Sequence, residues 1–372
     1  MASIKPSPIL LDNGDQVEGI GRQSHIKWQT IAGALGMLGY RAVNVGEKDL
    51  ALGGDFIKQE AAAASVPLIS ANIADGAGKL LFEPFVVVEL RSGETKVRIG
   101  IVGLIAPDLA KDLPVTVLDP AEALDRIVAK LEAGCDWTVL LAHMPYAQAE
   151  PLARRLPGNL LTVCAHQSDE SDVHEAAGCL MVSPGQKSRA AIVCRVVPRG
   201  DRLAVKATEH DLGPKLADAQ RMTDLLSLYQ QMLKQEKLLA KVPREEHPGG
   251  EFAGSASCAP CHRAAADVWR RSRHPGAYQT LVKKSRDSDP ECAVCHTVGL
   301  KYTSGFVSAE ATPGLGHVGC ESCHGPGKAH NDDPGGVKIP KGDEATCRKC
   351  HDTDNDPEFE FKTYWPKIRH GK

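Results

Sequence analysis

His317-Val-Gly-Cys320-Glu-Ser-Cys323-His324-Gly-Pro-Gly-Lys-Ala-His330 packs two cysteines, three histidines and three glycines into fourteen residues. Cys320, Cys323 and His324 spell Cys-x-x-Cys-His, and the same spelling recurs at residues 258–262, 292–296 and 347–351. Two thiols three positions apart can add to the two vinyl groups of one haem, and the adjoining histidine then lies against its iron as an axial ligand. The pattern implies four covalently bound haem c groups. The thioether cysteines are Cys258 and Cys261, Cys292 and Cys295, Cys320 and Cys323, and Cys347 and Cys350; the adjoining axial ligands are His262, His296, His324 and His351. Structural zinc also uses Cys-x-x-Cys knuckles, but it does not require a histidine after every second cysteine.

Successive motif histidines stand 34, 28 and 27 residues apart, about one haem per short loop-helix unit. From residue 243 onward aliphatic residues give way to Gly, Pro, Lys and Asp, too little apolar surface to offset the ordering entropy of the segment. Haem macrocycles clamped by thioethers would supply the missing core, which predicts a mainly helical, haem-packed domain over 243–372. Nine histidines lie in that stretch. Beyond the four in motifs, His247, His274, His317, His330 and His370 remain, enough to close four irons with one to spare.

The remaining bounds come from composition. With 44 basic against 47 acidic residues, nothing favours nucleic acid, and no apolar run approaches the length of a membrane span. Haem attachment takes place outside the cytoplasm, so a periplasmic or extracellular location is expected. Residues 1–7 carry no apolar leader core, and residues 8–11 are too short for one, so an export signal is expected to lie upstream or to have been removed.

Residues 1–212 read differently. Strand-like runs at 9–12, 42–46, 66–73, 82–90, 96–104, 137–143, 160–165 and 180–183 alternate with helical patterns at 27–40, 54–64, 120–134 and 147–156. Arg91-Ser-Gly-Glu marks a hairpin, and a ribbon joins 190–197 to 203–208. Interleaved helices and strands closing on antiparallel ribbons predict an α/β layered sandwich. Residues 213–242, with Leu225, Leu226, Tyr229, Met232 and Leu233 at helical spacing, predict a linker helix. Cys135, Cys164, Cys179 and Cys194 have no metal spacing; Cys179 and Cys194 are either a disulfide or buried free thiols.

Residues 253–372 resemble the tetrahaem cytochrome c-554 family, electron acceptors of hydroxylamine-oxidising bacteria. The resemblance rests on Ala253-Gly-Ser-Ala-Ser-Cys-Ala-Pro-Cys-His, Trp269-Arg-Arg-Ser-Arg-His, Cys292-Ala-Val-Cys-His-Thr-Val-Gly, Gly319-Cys-Glu-Ser-Cys-His-Gly-Pro-Gly and Tyr364-Trp-Pro-Lys-Ile-Arg-His, in that order. It implies crossed ligation: His330 on the haem of His262, His274 on that of His351, His370 on that of His324, and none on that of His296. Two departures bear on this. Pro275 should end a helix at His274, and His317 is a further distal candidate that could close the His296 haem.

Residues 9–198 resemble the calcineurin-like metallophosphoesterases, especially the 5′-nucleotidase branch. The echoes are Leu11-Asp-Asn-Gly-Asp, Gly39-Tyr-Arg-Ala-Val-Asn-Val-Gly-Glu-Lys-Asp-Leu, Ser70-Ala-Asn, Leu140-Leu-Ala-His and Val163-Cys-Ala-His. That family holds two metals. This chain keeps Asp15, His143 and His166 as a remnant metal site. Glu47 stands for the bridging Asn, Lys48 for the catalytic His and Ser168 for a final His, and the Asp-x-His strand would lie upstream of residue 1. A lysine ammonium beside Asp15 can replace a metal's charge rather than bind one. The resemblance therefore implies a degenerate, N-terminally truncated domain, and no metal besides haem iron is expected.

Three functions follow. The first is an exported electron-transfer cytochrome working between redox partner proteins or along a chain of subunits, in which His247 or another spare histidine could reach a neighbour in a homo-oligomer or filament. The second is a haem enzyme acting on a small nitrogen compound, such as nitric oxide or hydroxylamine, at an open haem on His296. The third is a metallophosphoesterase with an appended cytochrome.

Overall fold

A computed structural model of the chain describes residues 8–92, 95–176, 178–199, 202–213 and 215–371. Glu94 and its neighbour, the tip of the expected 91–94 hairpin, lie outside the described residues, as do residues 1–7. The chain divides into two compact units, 1–225 and 226–372.

Among the described residues the N-terminal unit holds four sheets, two of them two-stranded ribbons. Leu11–Asp12, Ala42–Asn44 and Leu68–Ile69 pair in parallel. A six-stranded sheet runs Asp172–Ala176, Cys179–Ser183, Asn159–Cys164, Trp137–His143, Thr95–Ile105, Phe85–Ser92 in spatial order, parallel in the middle and antiparallel at both edges. Side chains of a strand alternate between faces. Leu140 and Ala142 accordingly join one core cluster with Leu124, Leu131 and Leu152 of the helical segment, while Val139 and Leu141 join another, packed by Ile192 and Val205 of the ribbon Ala190–Arg199/Arg202–Asp211. A third cluster sets Trp28, Ala32 and Leu35 of the helix Arg22–Leu38 against Val43 and Ile57. This is the layered α/β sandwich expected.

Local differences have local causes. The helix expected over 120–134 is two, Pro120–Asp125 and Val128–Gly134, because Ile127 takes φ −116 between them. The strand expected over 66–73 is two short pieces, Leu68–Ile69 and Ile73–Ala74, with Ser70 and Asn72 buried between and beside them. All four cysteines of this unit are free, so the Cys179–Cys194 disulfide does not form; Cys179 belongs to the first cluster and Cys194 packs against the second. Burial pushes the Cys194 thiol up to about 11 and Cys164 up to about 12, the behaviour of inert core thiols.

The helix Gln220–Gln235 precedes a 3-10 turn, Leu238–Lys241, entered through Lys237 at φ 53. The C-terminal unit consists of short helices and turns around one small cluster: Leu239, Tyr278, Leu281, Ala293, Val298, Leu300, Phe306 and Leu315. Asp289 caps the helix Pro290–His296 by accepting from the Glu291 N–H at 3.0 Å, and it also accepts from Gln230 at 3.3 Å. Among the described residues no helix is long and apolar enough to cross a membrane.

Candidate functional site

Each Cys-x-x-Cys-His unit is wound on a short helical turn. Cys258 ends Ser255–Cys258, Cys292 and Cys295 lie within Pro290–His296, Cys320–His324 is itself a helix, and Cys347 lies in Glu344–Arg348. Helical spacing puts positions i, i+3 and i+4 on one face, so both thiols and the histidine of a unit share a face. The units also adjoin one another. The Cys258 thiol contacts Cys320, the Cys295 thiol contacts Cys350, and Cys323 lies within electrostatic reach of Cys347. Motif order in space is therefore 292–296, 347–351, 320–324, 258–262.

Three motif histidines face a second imidazole. Ring centroids are 6.1 Å apart for His262 and His330, 6.4 Å for His274 and His351, and 5.8 Å for His324 and His370. Two metal–imidazole bonds of about 2 Å on opposite sides of one ion, with the ring radii added, put centroids about 6 Å apart. These are the spacings at which two histidines can share one metal, and each pair joins residues distant in sequence.

The other ring nitrogens are tied down. His324 Nδ1 donates to the Pro340 carbonyl at 2.8 Å, His330 Nδ1 to Val337 at 2.7 Å, His296 Nδ1 to Ala277 at 2.8 Å and His370 Nδ1 to Ile368 at 3.0 Å. His351 Nδ1 differs, donating to the Asp356 carboxylate at 2.7 Å. A neutral imidazole that spends its proton on Nδ1 presents a lone pair at Nε2, the tautomer a metal needs.

His247 has the opposite arrangement. Its Nδ1 accepts the Gly249 N–H at 2.8 Å, so the neutral ring carries its proton on Nε2 and has no lone pair there for a neighbouring subunit's iron. His317 lies tilted against Trp269, with ring centroids 5.3 Å apart, and its Nε2 shares a hydrogen bond with Ser255 Oγ at 3.0 Å. Among the described residues, His296 alone of the four motif histidines has no imidazole facing it at these separations. The α-helix Arg263–Arg271 stops before His274, which opens a 3-10 turn with Pro275, the break that proline imposes.

Glu321, a variable position inside its motif, was not legible as a site residue. Its buried carboxylate accepts from Ala253, Gly254 and Gly327 N–H, each at 2.7 Å. One side chain thereby ties the approach to Cys258 to the loop leading to His330. Only the folded chain brings those three amides together.

A second constellation lies in the N-terminal unit, at the carboxyl ends of parallel strands, where open α/β sheets place their sites. Asp15 follows Leu11–Asp12, Glu47 follows Ala42–Asn44, His143 ends Trp137–His143 and His166 follows Asn159–Cys164. Donor atoms of all four lie within 4.8 Å of one another. The buried amides of Asn13 and Asn44 hold these strand ends together: Asn13 Nδ2 donates to the Ala142 and Val163 carbonyls, and Asn44 Nδ2 to those of Leu104 and Leu141. His143 Nδ1 donates to the Asn13 carbonyl at 2.5 Å, aiming Nε2 at Glu47 Oε2, 2.9 Å away.

Burial alone would lower the His143 imidazole, but the Asp15 and Glu47 carboxylates raise it to about 10. Burial acts upward on Glu47, yet hydrogen bonds from His143 and His166 hold it well below the usual carboxylate range. Burial, with the nearby Asp15 charge, pushes Asp49 up to about 6; its carboxylate accepts from the Asp15 and Gln16 N–H groups and from Trp28 Nε1. Lys48 Nζ sits 3.6 Å from Asp15 Oδ2, the neighbour expected from the sequence. Glu47, at the position of the family's bridging Asn, enters the cluster as a donor. The expectation that haem iron is the only metal is at odds with this convergence, because an anionic donor replaces a neutral one among residues already close.

Comparison with known proteins agrees with this division. Residues 257–325 match the family model described as "Cytochrome c554 and c-prime". Cytochrome c-554 of Nitrosomonas europaea is 31% identical over 27% of this chain and 57% of its own length. The 2′,3′-cyclic-nucleotide 2′-phosphodiesterase/3′-nucleotidase of Yersinia enterocolitica is 26% identical over 45% of this chain and 25% of that protein. The chain thus spans little more than half of the first relative and a quarter of the second. Among solved structures, a 5′-nucleotidase precursor from Thermus thermophilus superposes with TM-score 0.52 at 24% identity, covering 66% of this chain and 56% of that one. The calcineurin-like phosphoesterase YfkN from Bacillus subtilis does so with TM-score 0.51 at 19% identity, covering 60% and 83%. At such identities these two show the fold alone. The C-terminal region therefore matches the cytochrome c554 family, that of a haem cytochrome, and the N-terminal region has the metallophosphoesterase/5′-nucleotidase-like α/β fold.

Proposed function

We propose that the chain is a four-haem c-type cytochrome that passes electrons between redox partner proteins in the periplasm or outside the cell. The observation that carries this reading is the set of three imidazole pairs at 5.8–6.4 Å, each setting a motif histidine against a histidine remote in sequence. Haem c supplies a one-electron iron couple when bound. The eight motif cysteines would hold it through thioethers. His262 with His330, His351 with His274, and His324 with His370 would ligate from both sides. The adjoining motifs, in the order 292–296, 347–351, 320–324, 258–262, give neighbouring redox centres and hence a relay.

A second reading is favoured by His296, which among the described residues has no imidazole facing it. There the sixth position would be open to a small ligand, so one end of the relay could react with a small nitrogen compound.

Asp356 gives a handle for testing the relay. A carboxylate hydrogen-bonded to an axial histidine makes the ligand more basic and favours the oxidised iron. Replacing it by a neutral amide should cost that site about 1.4 kcal/mol, the scale of one hydrogen bond to a charged group, or about 59 mV for one electron. In a potentiometric titration the protein is expected to take up one electron per motif in four steps. In Asp356→Asn one of the low-spin steps should move up by that amount and the others stay in place. Uptake of fewer electrons than motifs, or an unmoved set of potentials, would count against the ligation assigned to His351.

A further inference from the structure

Four side chains that the haem reading leaves unused converge at the strand ends of the N-terminal unit. We propose that Asp15, Glu47, His143 and His166 bind a single divalent first-row metal ion in a closed four-coordinate site, which pins the strand ends together and does not hydrolyse phosphoesters.

The distances between donors carry the proposal. His143 Nε2 is 2.9 Å from Glu47 Oε2, 2.9 Å from His166 Nε2 and 3.6 Å from Asp15 Oδ2. His166 Nε2 is 3.5 Å from Glu47 Oε2 and 3.9 Å from Asp15 Oδ2. A tetrahedron with metal–ligand bonds of about 2.0–2.2 Å has edges of about 3.3–3.6 Å. The five edges straddle that value, so an ion fits with shifts of a few tenths of an ångström. Two nitrogens and two carboxylate oxygens suit zinc, manganese or ferrous iron.

The backbone is shaped for the same purpose. Asp15 and His166 both take left-handed φ, 63 and 53, without being glycine. Such strain persists where the surroundings over-determine it, and it clusters at ligand clamps. Gly46 lets the loops close: a Cβ there would lie 2.2 Å from Asp15 Oδ1 and 2.7 Å from His143 Cε1.

A dinuclear centre does not fit. Both oxygens of Asp15 are engaged, Oδ1 by the Lys48 N–H at 2.9 Å and Oδ2 by the cluster and the Lys48 ammonium. A second cation on Oδ1 would have to displace that N–H. Ser168, at the position of a further ligand, instead donates its hydroxyl to the Glu170 carbonyl at 2.6 Å. A catalytic site keeps one position open for water, whereas four protein ligands close a structural one.

The test uses the haem-loaded full chain and Zn2+ as the probe. Equilibrium dialysis, thermal melting and turnover of bis(4-nitrophenyl) phosphate are compared for wild type, Glu47→Gln and His166→Asn. Both substituted side chains are partly exposed, so the variants should fold. Expected is one zinc per wild-type chain beyond any retained by the variants, a higher melting temperature for the zinc-loaded N-terminal unit, affinity at least about 100-fold weaker in either variant, and no turnover. Absence of a zinc difference between wild type and variants overturns the site. Two ions per chain, or metal-dependent turnover, overturns the closed single-ion form.

Discussion

Produced without covalent haem, the chain should keep a folded N-terminal unit and lose the C-terminal one. The N-terminal unit owns three clusters of 18, 15 and 10 buried residues. The main cluster of the C-terminal unit has eight, for 147 residues. At about 25 cal/mol per Å2 of buried apolar surface, eight side chains cannot offset an ordering cost of about 1–2 kcal/mol per residue. The pairing histidines would also lack the irons that draw them together. Limited proteolysis of haem-free protein should leave a resistant fragment ending near residue 225, and far-UV circular dichroism should lose the C-terminal helices. A haem-free C-terminal unit as resistant as the haem-loaded one would show that its core lies elsewhere.

The second large effect concerns His370. Its side chain is exposed and its Nδ1 is held by a local bond to Ile368, so His370→Ala should leave the fold intact. Its ring faces His324 at 5.8 Å. Removing it should convert one low-spin ferric haem to a high-spin one that binds cyanide or nitric oxide, read in the visible and magnetic circular dichroism spectra. His247→Ala is the matched control, because the proton of its neutral ring sits on Nε2; it should change neither spectrum. Unaltered spin states in His370→Ala would assign the His324 iron another partner.

What the sequence made legible depended on how local the causal interactions are. Cys-x-x-Cys-His carries its chemistry within five residues and could be read outright. Residues 137–143 are buried throughout but for a half-exposed Trp137, and appear as a strand with the expected bounds. The strand Asp172–Ala176 was missed because it is an exposed edge, Asp-Val-His-Glu-Ala, whose order comes from pairing with Cys179–Ser183. The histidine pairs could be listed as an inventory, but their pairing came only through family resemblance, since partners lie 46 to 77 residues apart. Glu321 and Glu47 show the limit most clearly. One serves three amides from two distant segments, and the other joins donors from four strand ends. Neither arrangement leaves a periodic trace.

Four haems, three closed by histidine pairs and the one on His296 open, would leave a distinct signature in quantitative electron paramagnetic resonance of the ferric protein, scaled to its haem content. The expected spectrum accounts for four haems per chain, three low-spin and one high-spin, with the high-spin signal abolished by a ligand such as cyanide. Four low-spin haems in the ligand-free protein, or fewer than three, would contradict that arrangement.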